Sequence, residues 1–340
     1  MSLLILNEDE LRQIITIPET VNAVEAAFRA LAEGRMHVPG DFTLNLPLVQ
    51  GEVEVKGTYL DEAPYYVIRV GSNFVDNPSI NLPRQSGLMA IFDAATGFPA
   101  AMLFDNGYLT GMRAGAAGAL TAKYLANSRL DRVAVLGSGN QAYHQVKSLL
   151  TVRDQIGVVS VWGRTPDKVD TYARRIVEDH DLNVQIASSA EAAVRGADLV
   201  ITATASQEPL VQAEWLKPGT HITAVGADRP FKQELHPNVL ARADIIIVDH
   251  IDRCAMAGEI HHGLTAGVIS RANIQGELGD LITGKIPGRT RPEQITVADL
   301  TGLDAQDSTV AIMALEKALF IGLGQRVTHS TIDIQNSLVV

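Results

Sequence analysis

From residue 131 onward, short apolar runs recur at 133–136, 158–162, 184–187, 198–203, 221–226 and 244–249, with helical spacing between most of them. Continuous rather than alternating apolar runs fit strands covered on both faces, and their rhythm with helices predicts a doubly wound parallel sheet. Before residue 131 the texture changes. Helical spacing predicts a helix over 17–32. Alternating segments such as Thr43-Leu44-Asn45-Leu46 and Val53-Glu54-Val55-Lys56 predict half-exposed strands of a more antiparallel sheet. A hairpin is predicted over 88–104, with Asp93-Ala94-Ala95-Thr96-Gly97 as its turn. The apolar segment 308–323 reads as a long helix that leaves the parallel-sheet domain and packs back on the first one. The expected division is 1–127 with 308–340 for one domain and 128–307 for the other. The apolar surplus of 308–323 and 17–32 suits a subunit interface or an intrachain core.

The run Val133-Ala134-Val135-Leu136 breaks into Gly137-Ser138-Gly139-Asn140-Gln141-Ala142, a G-x-G-x-x-A turn at the start of a helical pattern. Gly137 permits a tight turn out of the strand, Gly139 lets a pyrophosphate approach the backbone, and Ala142 keeps the helix close to the sheet. The free N–H groups of the helix start then hold phosphates. The next strand run ends in Trp162-Gly163-Arg164-Thr165, where an NAD-specific site usually carries an acid for the ribose 2′-hydroxyl. Arg164 and the Thr165 hydroxyl suit a 2′-phosphate instead, which favours NADP(H), while the nearby Asp167 counters it. The candidate NAD(P) residues are the six of the turn, Gly163, Arg164, Thr165, Thr202 and Thr110.

Bulk properties narrow the class. The chain has 340 residues, 46% hydrophobic and 20% charged, an ordinary globular balance that suits two domains. A net charge of -11 disfavours a polyanionic partner, and the basic loop 285–291 reads as solvated surface, so no nucleic acid is expected. Cys254 stands alone, which excludes an intrachain disulfide and suits a reducing compartment. The start lacks a basic region and soon meets Glu8, Asp9 and Glu10, so neither a signal peptide nor a membrane partner is expected and the location expected is cytoplasmic. Glu259 and His262 stand three apart without a partner motif, so no metal is expected, and His261 and His262 read as surface or packing residues.

Two further stretches carry chemistry. Leu109-Thr110-Gly111-Met112-Arg113 runs into a helix of very small residues, which means something packs closely there. Arg113 near that helix start suits a bound carboxylate, gripped by two parallel hydrogen bonds; a structural Asp is the alternative partner. Ala224-Val225-Gly226-Ala227-Asp228-Arg229-Pro230 ends a strand in a loop with an acid, placed to face the nicotinamide and to take a proton from an amine or activate water. A loop or helix-cap role is the alternative for Asp228.

Leu109-Thr110-x-x-Arg113, the Ala122-Lys123-Tyr124-Leu125-Ala126 helix end, Gly137-x-Gly139-x-Gln141-Ala142 and Val225-Gly226-Ala227-Asp228 together resemble the ornithine cyclodeaminase/mu-crystallin family, as do 279–289, Thr301-Gly302 and Asp307. The resemblance implies an α/β fold: a Rossmann doubly wound nucleotide-binding domain plus a discontinuous α+β dimerisation and substrate domain, in a homodimer. It implies hydride transfer at the α-carbon of a small amino or imino acid. Arg113 then matches the substrate-carboxylate Arg, and Asp228, followed by Lys232, matches the cyclodeaminase acid/base. Arg69 stands where family members usually place a Lys, and 37–41 occupy the region of an early substrate-binding Arg. Lys56 resembles a pocket residue of ectoine-utilisation members, with a surface strand lysine as the alternative. The candidate catalytic residues are Asp228, Arg69 and Lys56; Arg113, Arg69, Lys56, Ser86 and Gly302 are the candidate substrate-binding residues. A net amino or imino acid oxidoreductase is the expectation, cyclodeamination with catalytic NAD the runner-up, and a non-catalytic NADPH-dependent ligand binder the third reading.

Overall fold

The computed structural model of the protein describes residues 2–40 and 42–328. Met1, Asp41 and the segment 329–340, which the sequence assigns to the first domain, lie outside the described residues. In chain order the strands are β1 (Ser2–Asn7), β2 (Met36–His37), β3 (Phe42–Leu46), β4 (Gly51–Leu60), β5 (Tyr65–Phe74), β6 (Gln85–Asp93), β7 (Pro99–Phe104), β8 (Leu130–Leu136), β9 (Ile156–Trp162), β10 (Val184–Ile186), β11 (Leu199–Thr202), β12 (His221–Ala224), β13 (Ile245–Val248), β14 (Gly276–Glu277), β15 (Thr296–Asp299) and β16 (Gln325–Thr328). The chain divides into two compact units: Met1–Glu19 with Glu33–Thr110 and Asp304–Val340, and Thr20–Ala32 with Gly111–Leu303.

The first unit holds a mixed sheet in the order β16-β1-β7-β6-β5-β4-β2, with β3 also paired to β4. β1 runs parallel to β7 and antiparallel to β16, so the first and last described strands of this unit are neighbours. The predicted hairpin is β6 and β7. At its turn Asp93 Oδ1 accepts from the backbone N–H of Ala95 (3.1 Å) and Thr96 (2.8 Å). A side-chain acceptor there fixes the turn that alternation alone only locates. The helix Asp304–Ile321 packs on β4, β5 and β6 and buries Asp304, Gln306, Asp307 and Ser308 among its apolar residues.

In the second unit every strand is parallel, in the order β10-β9-β8-β11-β12-β15-β13-β14. Both faces are covered. Val133 and Val135 of β8 enter one apolar cluster with Val159, Val161 and Ile201, while Ala134 and Leu136 enter another with Ile222, Ile246 and Val297. That two-sided burial is why the strand runs read as continuous rather than alternating. β14 and β15 are additions to the predicted set. β15 inserts between β12 and β13, and its polar ends, Thr296 and Asp299, disguise a strand whose four residues are all buried. Strand order reverses between β8 and β11, the position where open α/β sheets bind ligands.

Candidate active site

At that reversal β8 delivers the glycine turn. Gly137 has φ +121°, and a Cβ on it would stand 2.5 Å from the Ala203 carbonyl oxygen beyond β11, so no other residue fits. Its N–H donates to the Trp162 carbonyl oxygen (2.9 Å), tying the turn to the end of β9. Gly139 caps the helix Asn140–Leu149 without a side-chain hydrogen bond, and a Cβ placed there would meet no atom within 4 Å. An uncapped helix start beside open space is what a pyrophosphate needs, so these residues fit a dinucleotide. Ala142 is fully buried beneath it. Ser138 approaches Gly163 after β9, and Arg164 and Thr165 lie exposed at the start of the helix Pro166–His180. Thr202 is buried at the end of β11, between Leu136 and Ala224.

The small residues of the helix Tyr108–Leu125 are explained by the same helix. Cβ atoms on Gly111, Gly115 or Gly118 would collide with His144, Ser148 or Gln145. Close helix packing holds the backbone from which Arg113 projects, two residues on from Gly111. The Arg113 guanidinium in turn abuts the backbone of Gly302, where φ is +84° and a Cβ would stand 2.5 Å from Nη1. Gly302 is held by its N–H donating to Asp249 Oδ2 (2.6 Å), and the Thr301 hydroxyl donates to Asp249 Oδ1 (3.2 Å). Asp228 follows β12, half-exposed, with Lys232 Nζ donating to its Oδ1 at 2.5 Å. It caps no helix among the described residues. His262 bonds the Lys232 carbonyl oxygen (2.7 Å) and His261 the Ala255 carbonyl oxygen (3.0 Å), which are packing contacts.

In the first unit, Lys56 of β4 and Arg69 of β5 are directly opposite each other in register. Cross-strand partners share a face. Both meet acids of the last helix: Lys56 Nζ lies 3.3 Å from Asp304 Oδ1, and Arg69 Nε lies 4.0 Å from Asp307 Oδ1. Thr110, grouped with the cofactor residues by sequence, donates its hydroxyl to Asp307 Oδ1 at 3.2 Å. Asp105 accepts from the Leu109 N–H at the start of the helix Tyr108–Leu125; burial and the Asp307 charge push its carboxyl up to about 6. Ser86 is separated from this group. It pairs with Ser72, three residues past Arg69, so alternation puts it on the opposite face of the sheet. Sequence reasoning missed Asp105 and Asp304. Asp304 carried a signal, an acid just ahead of a long apolar helix, but only the fold puts it against Lys56.

A glycine turn with an open helix start, set at the reversal of a doubly wound parallel sheet, defines the class: a dinucleotide-binding α/β protein. The chain belongs to the ornithine cyclodeaminase/mu-crystallin family, whose profile matches residues 2–320. It is 38% identical over 316 residues to an uncharacterized cyclodeaminase of Sinorhizobium fredii, covering 92% of this chain and 95% of the relative. Among solved structures it resembles an archaeal alanine dehydrogenase dimer with bound NAD, at 35% identity and a TM-score of 0.90 over 97% of this chain and 100% of that one. It also resembles the Δ1-pyrroline-2-carboxylate reductase of Thermococcus litoralis in complex with NADH and L-proline, at 28% identity and a TM-score of 0.91 over 96% and 100%.

Proposed function

We propose that the protein is an NAD(P)-dependent oxidoreductase that transfers hydride at the α-carbon of a small amino acid or cyclic imino acid. The observation that carries this reading is the Gly137 to Ala142 turn at the sheet reversal, in a chain similar over nearly its full length to an alanine dehydrogenase and a pyrroline-2-carboxylate reductase. When bound, the dinucleotide supplies the hydride donor or acceptor. Arg113 of the second unit anchors the substrate α-carboxylate, and orientation lowers the barrier; a substrate-binding role for Arg69 and Lys56 of the first unit rests on the family resemblance. The buried partners of Lys56 and Arg69 fit a second role for those cations, which is to answer the charges of Asp304 and Asp307. The Asp228 carboxylate takes the amine proton in oxidation or holds the protonated imine in reduction. Lys232 at 2.5 Å fixes how that carboxylate is aimed.

Cyclodeamination is the second reading, favoured by Asp228 and by the Sinorhizobium fredii relative. Absorbance at the reduced-nicotinamide band separates the two, using each cofactor with a panel of amino acids and cyclic imines. A stoichiometric change establishes net redox; a flat trace with ammonia released establishes cyclodeamination. A flat trace with no product overturns both and leaves a ligand binder.

For the cofactor's 2′ end we favour NADP(H), because Arg164 and Thr165 are exposed at the end of β9. Arg164→Ala is expected to raise KM for NADPH about tenfold, the worth of one charge-assisted bond, with NADH nearly unaffected. Equal effects on both cofactors overturn this preference. A homodimer is the reading for the assembly, supported by the archaeal dimer and by Phe320, 91% exposed at the end of the last helix. Among the described residues no helix is long and apolar enough to cross a membrane. The single buried thiol of Cys254 suits a cytoplasmic setting.

A further inference from the structure

Glu234, Glu259 and Asp299 are buried together in the second unit, and each binds backbone amides. Glu234 Oε1 accepts from the Thr204 N–H (2.6 Å) and hydroxyl (2.7 Å), while its Oε2 accepts from the Gly226 N–H (2.9 Å). Thr204 follows β11 and Gly226 follows β12, so one side chain ties together the loops leaving two adjacent strands at their carboxyl ends. Behind it, Glu259 accepts from the N–H of Glu234 (2.7 Å) and Leu235 (3.0 Å), and Asp299 Oδ2 accepts from the Ile260 N–H (2.9 Å). Burial first, and then the neighbouring acids, pushes Glu259 well up and Asp299 to about 7. Stacking acids in a core costs stability, and apolar residues would close a core more cheaply, so the arrangement points to a demand of geometry.

What the two loops carry supplies that demand. The Ala203 carbonyl, next to Thr204, is the group against which Gly137 turns. The Gly226 carbonyl accepts the Asp228 N–H at 3.2 Å, and a side chain on Gly226 would strike both Thr204 and Glu234. We infer that Glu234 is a positioning residue: its carboxylate straps the loop after β11 to the loop after β12 and so sets Asp228 against the dinucleotide turn. The inference rests on the role proposed for Asp228. Glutamine cannot replace the strap, since donors meet both oxygens and an amide nitrogen would face an N–H.

The test compares Glu234→Gln, Asp228→Asn and the double variant in the full-length enzyme with saturating dinucleotide. Glu234→Gln is expected to remain folded and to lose roughly 10- to 100-fold in kcat, the scale of a small misplacement of reacting groups. Substrate KM should stay within about threefold, and the primary deuterium isotope effect on kcat should rise, a split that mere loosening of the fold would not give. The double variant should be no slower than Asp228→Asn, because the strap acts through Asp228. Wild-type kcat in Glu234→Gln, or losses that multiply in the double variant, overturn the strap alone. Full turnover in Asp228→Asn overturns the reading beneath it. Should Glu234→Gln fail to fold, Thr204→Val removes one donor in a nearly isosteric way; an unchanged kcat and isotope effect there also overturn the strap.

Discussion

At the scale of single residues the sharpest demands are made by backbone rather than by charge. Gly302 holds φ +84° with the Arg113 guanidinium against it, so Gly302→Ala must both strain the chain, by about 1–3 kcal/mol, and displace the guanidinium. Weaker binding of a carboxylate ligand, read by calorimetry, is expected to exceed the change in unfolding temperature; unchanged affinity would sink the placement of Arg113 in the carboxylate clamp. Gly137→Ala meets the Ala203 carbonyl oxygen, so a raised Kd for dinucleotide in fluorescence titration is expected together with lower stability. Both glycines were legible in the sequence, one from the G-x-G-x-x-A pattern and one from the family resemblance. The partners of the charged residues were not. Lys56 and Asp304 are far apart in the chain, and no local pattern says that they lie 3.3 Å apart.

At the scale of elements, helices and strands came through wherever their periodicity was strong. β15 escaped because threonine and aspartate interrupt its apolar run, and it is identified as a strand only by its place between β12 and β13. The same strand system carries two titrating groups with opposite pH effects. His221 of β12 is fully buried, with its ring nitrogens near the hydroxyls of Thr296 (2.8 Å), Thr223 (3.2 Å) and Thr121 (3.3 Å). Burial, then the Arg289 charge, lowers its pKa from 6.5 to about 3. Between those values the unfolded chain takes a proton that the native state refuses, so this group's contribution to stability falls as pH drops, by up to about 1.4 kcal/mol per unit. Asp299 is opposite in sign: raised to about 7, it keeps a proton that the unfolded chain releases, so its contribution falls as pH rises from the ordinary carboxylate range to 7. Denaturant unfolding at several pH values should therefore show Asp299→Asn improving relative to wild type from pH 4 to 7 and level above it. A difference independent of pH would contradict the raised pKa.

At the scale of the whole molecule, the proposed homodimer predicts twice the chain mass in sedimentation at micromolar concentration, and a monomer there would overturn it. Phe320 and Ile321, exposed side by side at the end of the helix Asp304–Ile321, are apolar side chains that such association would cover. The doubly wound sheet, the glycine turn at 137–142 and the hairpin were legible in the sequence, because each is written in local periodicity or in a turn that only glycine can make. Tertiary structure alone decided where β15 inserts, that Ser86 faces away from Lys56 and Arg69, that Asp304 and Asp307 answer those two cations, and that Glu234 bridges two strand ends. Register and burial are properties of pairs of segments distant in the chain, and a side chain's partners, and with them its charge, follow from that pairing rather than from its neighbours in sequence.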